Sequence, residues 1–227
     1  MTTPILNHRL RFPNPRSASA EGLVAVGGDL SVPRLLLAYR SGLFPWTADP
    51  ITWWSPDPRA IFELEQFHVP RSLAKFTQRR PFEVTYDRAF HRVMEGCAAP
   101  APGRSTSWIT PEFIEAYGRL HDHGHAHSVE CWQGGELAGG IYGVSIGGFF
   151  AGESMFHRTA NASKVALFRL IGRLRERGFA LFDIQMVTPA TQPFSPVEIS
   201  RGEYLKRLAV AVELKCSFEG KASPPLN

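Results

Sequence analysis

Leu181-Phe182-Asp183-Ile184-Gln185-Met186-Val187 sits near the end of a 227-residue chain and reads as a β-strand carrying two polar side chains. Side chains on a strand alternate faces, so Asp183 and Gln185 are expected on one face and Phe182, Ile184 and Met186 on the other. A carboxylate and an amide inside an apolar strand are costly to bury without a partner or a purpose. An edge strand with one wet face is the alternative. Thirty residues upstream, Gly152-Glu153-Ser154-Met155-Phe156 repeats the pattern, with an acid inside another strand-like run.

Helical and strand periods alternate outward from these two segments. Strands are predicted at Ala60 to Leu64, Phe82 to Tyr86, His127 to Gln133, Glu136 to Ile146 and Phe149 to Ser154, with Gly134-Gly135 as a hairpin signal. Helices are predicted from Pro70 to Gln78, Asp87 to Glu95, Thr110 to His121, Ser163 to Arg177 and Glu203 to Val212. A mostly antiparallel sheet flanked by helices, an α+β fold, follows. Ala98 to Ser105 reads as a mobile loop, and a proline-broken loop containing Pro189 to Pro196 follows the Asp183 strand. Nearer the start, Ser31 has the chemistry of an N-cap, Pro33 suits a first helical turn, and Gly42 ends that helix. The Trp- and Pro-rich run from Phe44 to Arg59 belongs at a domain junction or a pocket wall. The boundary is placed there: residues 1–59 form a small N-terminal domain and 60–227 a second domain.

Composition narrows the class. The chain is 44% hydrophobic and 20% charged, which suits a soluble protein with a real core. Cys97, Cys131 and Cys216 have no metal-like spacing and are expected as reduced thiols in a cytosolic protein. Met1 to Pro15 has no targeting character, and the apolar run from Gly139 to Gly152 is too short and glycine-rich for a membrane span. The net charge of +4 permits a nucleic-acid partner without requiring one. Arg71, Lys75 and Arg79 share a helix face beside Arg80, and could meet phosphates or only solvent.

Two other constellations are weaker. His121, His123, His125 and His127 alternate, but Gly124 puts them across a helix end and a turn, with no obvious carboxylate or thiolate to complete a metal site. Ser154 and His157 are close in sequence, without the Gly-x-Ser-x-Gly elbow of many hydrolases.

Taken together, a series of words resembles one family. They are Val26 to Leu30, Gly42 to Trp46, Trp53-Trp54-Ser55-Pro56-Asp57-Pro58-Arg59, Thr106 to Thr110, Gly124 to Ser128, Gly152 to Phe156, Asn161 to Lys164, Asp183-x-Gln185 and Glu198-Ile199-x-Arg201. In this order, across roughly residues 20–210, they resemble the leucyl/phenylalanyl-tRNA–protein transferases. The resemblance implies a cytoplasmic enzyme with a C-terminal N-acetyltransferase-like (GNAT) domain. It implies transfer of Leu or Phe from Leu-tRNA or Phe-tRNA to the α-amine of proteins beginning with Arg or Lys, which marks them for degradation. It implies no metal and no cofactor. By the same resemblance, Asp183 and Gln185 would be catalytic, and Glu153 with Asp183 would bind the acceptor. Trp108, Ile141, Phe150, Leu170, Leu174 and Phe182 would form the donor pocket. Trp46 and Tyr117 would lie near the end of the tRNA. With a tRNA as partner, the helix-face cations Arg71, Lys75, Arg79 and Arg80 become candidates for its backbone. The segment Pro189 to Pro196 departs from the family, which usually has a histidine where Ala190 stands and Ser-Leu-Gly-Ala where Pro193 to Pro196 stand. An acyl-CoA N-acetyltransferase and a non-catalytic tRNA adaptor are the rival readings.

Overall fold

Residues 3–100 and 106–219 are described by the computed structural model. The predicted loop from Ala98 to Ser105 therefore lies partly outside the described residues. The first sheet holds β1 (Ile5–Leu6), β2 (Leu23–Gly27), β3 (Phe44–Ala48) and β4 (Ile51–Trp54) in the order β1-β2-β4-β3. Its β3–β4 hairpin is the Trp-rich run, whose sequence alone does not read as strands. Trp53 is wholly buried there and donates its indole N–H to the Gly27 carbonyl at 2.8 Å. Between β2 and β3 lies α1 (Val32–Arg40). Ser31 stands at its N-cap position without capping through its side chain; Asp29 accepts the Ser31 N–H instead and pairs with Arg34. Gly42, at φ +81°, turns the chain out of the helix.

The second sheet has seven strands: β5 (Arg59–Phe62), β6 (Glu83–Tyr86), β7 (Ala126–Gln133), β8 (Glu136–Ile146), β9 (Phe149–His157), β10 (Leu181–Gln185) and β11 (Val197–Ile199). Their order is β11-β5-β10-β9-β8-β7-β6, antiparallel except for the β9–β10 pair. Helices α2 (Arg71–Gln78), α3 (Phe90–Ala98), α4 (Pro111–Asp122), α5 (Ala162–Glu176) and α6 (Arg201–Ala211) flank it. The α+β expectation holds. Strand β11 was missed, because three residues beside Pro196 carry no readable period. Side chains from both sheets share one core: Val24, Leu35 and Trp53 cluster with Phe113, Tyr142 and Phe149. Among the described residues, no helix is long and apolar enough to cross a membrane.

Two irregularities shape the sheet where β9 and β10 run side by side. Their parallel pairing ends at Ala151 and Asp183. Immediately beyond, β9 bulges: Tyr142 faces Ser154 and Gly143 faces Gly152, leaving Glu153 as the extra residue. Strand β10 bulges as well, with Asp183 opposite Ile61 and Gln185 opposite Ala60. Gln185 itself adopts φ +58°, a left-handed conformation uncommon for a residue with a Cβ. Bulges re-aim side chains and end pairing. Here they separate the neighbouring strands and turn one residue of each into the gap.

Candidate active site

The gap between β9 and β10 opens into a cavity of about 630 Å³. Phe62, Ile141, Leu167 and Phe182 supply an apolar wall, Trp46 and Trp108 flank it, and Glu153 and Gln185 bring polar groups. Gly152 is required on this wall, since a Cβ there would meet the Phe182 ring at 2.8 Å.

Gln185 and Asp183 do not share a face as the alternation rule predicted. The left-handed turn swings Gln185 into the cavity alongside Phe182 and Ile184, while Asp183 is wholly buried and does not line it. Asp183 is held from several sides. Arg59 donates to both its oxygens, from Nε at 2.9 Å and from Nη2 at 2.6 Å. The Tyr204 hydroxyl donates to Oδ2 at 2.9 Å, and the Gln185 backbone N–H to Oδ1 at 2.9 Å. Arg59 is only 1% exposed, donates also to the Gly42 carbonyl at 3.2 Å, and lies between the rings of Phe44 and Tyr204. Burial opposes its charge, but Asp183 beside it more than offsets this and holds the guanidinium above its ordinary pKa. The carboxylate thus fixes the backbone of the next functional residue. Asp183 is readable from sequence as a polar group in an apolar strand; Arg59, its partner, lies in the Trp-Trp-Ser-Pro-Asp-Pro-Arg word, and nothing in that word's pattern signals the pairing.

Glu153 faces the cavity from its bulge. Gln185 Nε2 donates to its Oε1 and the Tyr117 hydroxyl to its Oε2, both at 3.3 Å. Tyr117 in turn shares a short hydrogen bond with Tyr39 of α1. The residue is half-buried, but its carboxyl end lies among these phenols. Burial pushes its pKa up to about 8; hydrogen bonds from Tyr39 and Tyr117 and the Arg59 charge act the other way, and the Asp183 charge adds to the rise. Tyr39 and Tyr117 are themselves held well above the ordinary phenol value, first by burial, so both are neutral donors.

Of the donor-pocket candidates, Trp108, Ile141 and Phe182 line the cavity. Phe150, Leu170 and Leu174 do not: all three are at most 1% exposed and belong to the core behind the wall, with Phe150 edge-on to Phe182. Leu167, one turn earlier on α5, takes the place expected of Leu170. Helix periodicity alone cannot separate them, since Leu167, Leu170, Ile171 and Leu174 are all buried. Trp46 lines the cavity, whereas Tyr117 is fully buried and reaches it only through Glu153. Arg71, Lys75, Arg79 and Arg80 are exposed on and just after α2, outside the cavity. The divergent loop does reach it, through Pro189 and Ala190.

The weaker constellations resolve differently. His121 is on α4, His123 caps it, and His127 is on β7, as Gly124 implied. The missing carboxylates exist, however: Asp87 accepts from His127 Nδ1 at 2.8 Å, and Glu219 brings the three residues' ligand atoms within 4.8 Å of one another. Ser154 has no hydrogen bond to His157 among the described residues; His157 faces Ser163 instead.

The family model described as leucyl/phenylalanyl-tRNA protein transferase matches residues 61–209, and that of the family's N-terminal domain matches residues 28–57. A leucyl/phenylalanyl-tRNA–protein transferase of Shewanella sp. (strain W3-18-1) is 48% identical over 208 residues, 89% of this chain and 88% of the relative. One from Magnetococcus marinus is 50% identical over 208 residues, 88% of each chain. Among solved structures, L-PGS from Bacillus licheniformis matches with a TM-score of 0.46 at 14% identity, covering 80% of this chain and 70% of that one. The chain therefore belongs to the leucyl/phenylalanyl-tRNA–protein transferase family.

Proposed function

We propose that this protein moves leucine or phenylalanine from the 3′ end of its tRNA to the α-amine of cytoplasmic proteins beginning with Arg or Lys, marking them for degradation. One observation carries the reading: an apolar cavity lined, among the described residues, by a single acid and by an amide whose backbone is held by a buried carboxylate. The wall of Phe62, Ile141, Leu167 and Phe182 suits a branched or aromatic side chain. A charged donor side chain would be desolvated there without compensation. Each methylene gained or lost in such a pocket discriminates by about 1–3 kcal/mol, so smaller apolar donors are disfavoured moderately. In its ionised form Glu153 provides negative potential for an acceptor that carries a cationic first residue. Trp46 and Trp108 at the cavity's edge offer faces for the terminal base of the tRNA. The exposed cations of α2 suit its phosphates.

The chemistry asks little beyond placement. The donor is an ester, already activated. The attacking α-amine has an ordinary pKa of about 7.7–8.0, so much of it is neutral at physiological pH. With its Nε2 on Glu153, Gln185 keeps Oε1 for an amine N–H. Asp183 acts through Gln185, fixing its backbone, and Arg59 and Tyr204 fix Asp183. Holding ester and amine in this geometry supplies the main rate advantage.

The test is a matrix of labelled Leu-, Phe-, Val- and Lys-tRNA against peptides beginning with Arg, Lys, Asp and Met. The expected result is transfer of Leu and Phe to Arg and Lys peptides, weaker transfer of Val, and none of Lys. Equal transfer to Asp or Met peptides would refute the acceptor assignment. Tight tRNA binding with no transfer would mark an adaptor.

A further inference from the structure

We propose that Glu153 is the proton carrier of the transfer, accepting the proton shed by the attacking amine and returning it to the 3′ oxygen of the tRNA as that oxygen leaves. This assignment rests on the transfer reaction proposed above. Among the described residues that line the cavity, Glu153 alone has a side chain that titrates. Asp183 is the other acid of the region, but its oxygens are engaged by Arg59, Tyr204 and the Gln185 N–H, and it does not reach the cavity. Glu153 stands on a bulge that aims it at Gln185, and its hydrogen bonds from Tyr117 and Gln185 are both long. Gln185 spans the two participants: its Nε2 touches Glu153, and its Oε1 is the site proposed for the amine. An amine held by Gln185 therefore has Glu153 as its neighbour.

The step balances with no further reactant. The neutral amine adds its lone pair to the ester carbonyl carbon and forms the C–N bond. Its nitrogen becomes cationic and gives one proton to the Glu153 carboxylate. The tetrahedral centre then collapses, the C–O bond to the ribose breaks, and the carboxylic acid gives the same proton to the departing oxygen. The products are an amide and a free 3′ hydroxyl, with Glu153 again ionised. A carboxyl that titrates near pH 8, beside an amine of similar basicity, can both take and return that proton. The titratable and charged groups that face it are Tyr39 from α1, Arg59 from β5, Tyr117 from α4, Tyr142 from β8, Asp183 from β10 and Tyr204 from α6. The four phenols stay neutral across the working range, each held well above its ordinary value first by burial. Glu153 is thus the group whose charge changes.

The experiment compares wild type with Glu153→Gln in single-turnover transfer from saturating Leu-tRNA to an Arg peptide. The second arm is an infrared titration of the carboxyl band in the free proteins, wild type minus variant. Glutamine is isosteric and its single carbonyl oxygen can still accept from either Tyr117 or Gln185, though not from both, and tRNA binding verifies the fold. The expected result is a fall of about 10²–10⁴ in the maximal rate, the span typical of proton-transfer catalysis, with a smaller change in the peptide KM. The difference spectrum should show a protonated carboxyl lost with a midpoint near pH 8. A maximal rate within threefold of wild type with a raised peptide KM would overturn the proposal and leave Glu153 as a recognition residue. So would a band already lost by about pH 5, the ordinary carboxyl range. Failure of the wild type to transfer at all would instead count against the proposed reaction, while the infrared arm still reports whether Glu153 holds a proton.

Discussion

Removing either partner of the Arg59–Asp183 pair should cost the fold and the reaction separately. Asp183→Leu leaves a guanidinium that is 1% exposed and that, among the described residues, keeps hydrogen bonds only to the Gly42 carbonyl and the Tyr204 hydroxyl. Stranding one charge of a buried pair costs about 3–5 kcal/mol. Arg59→Met strands Asp183 similarly. Against a total stability of about 5–15 kcal/mol, either change is a large fraction. The double variant Arg59→Met, Asp183→Leu strands neither charge, so its loss should fall short of the sum of the singles by about 2–3 kcal/mol. Urea unfolding of the four proteins gives that coupling directly. Transfer behaves differently. The double variant still lacks the acceptor for the Gln185 N–H, so it should remain inactive although it has recovered stability. Two outcomes would refute this reasoning: single variants within about 1 kcal/mol of wild type, or a double variant that transfers at the wild-type rate.

Three further expectations follow from particular side chains. Glu153 binds its proton more tightly folded than unfolded, so between its ordinary value near 4.5 and about 8 its contribution to stability falls as pH rises; Glu153→Gln should raise Tm relative to wild type at pH 8.5 more than at pH 5, measured by thermal unfolding. Leu174→Ala should cost about 2–5 kcal/mol with donor preference unchanged, because it opens a hole in the core behind the cavity, whereas Leu167→Ala should shift the Phe-to-Leu ratio of transfer toward the larger donor. If α2 meets the tRNA backbone, replacing Lys75 and Arg79 by Ala should reduce the slope of log affinity against log salt by about 0.7–0.9 per charge removed, with kcat at saturation unchanged.

The longer elements of the second sheet are visible in the sequence for a physical reason: β8, β9 and α5 carry long periodic patterns bounded by glycine, whereas the four short strands of the first sheet carry none that reads as a strand. Strand β11 has three residues and no such pattern. The site was legible as chemistry and less so as geometry. Glu153, Asp183 and Gln185 stand out because polar groups inside apolar strands demand an explanation. Their directions could not be read, because strict alternation fails at a bulge, and a bulge depends on how two chain segments pair. Arg59 illustrates the other gap. A buried acid implies a cation somewhere, but the partner lies 124 residues away and only the pairing of β5 with β10 brings it close. Tyr117 is expected near the end of the tRNA and Tyr39 and Tyr204 carry no signal of a role in sequence; the hydroxyls of all three gain meaning only with their partners in place.

The most direct test is a crystal structure with a non-hydrolysable 3′-leucylamido-adenosine, in which an amide replaces the reactive ester. The account predicts the leucyl side chain against Ile141, Leu167 and Phe182, its carbonyl beside Gln185 and Glu153, and the adenine at Trp46 or Trp108. An aminoacyl group bound elsewhere, with the β9–β10 cavity empty, would contradict it.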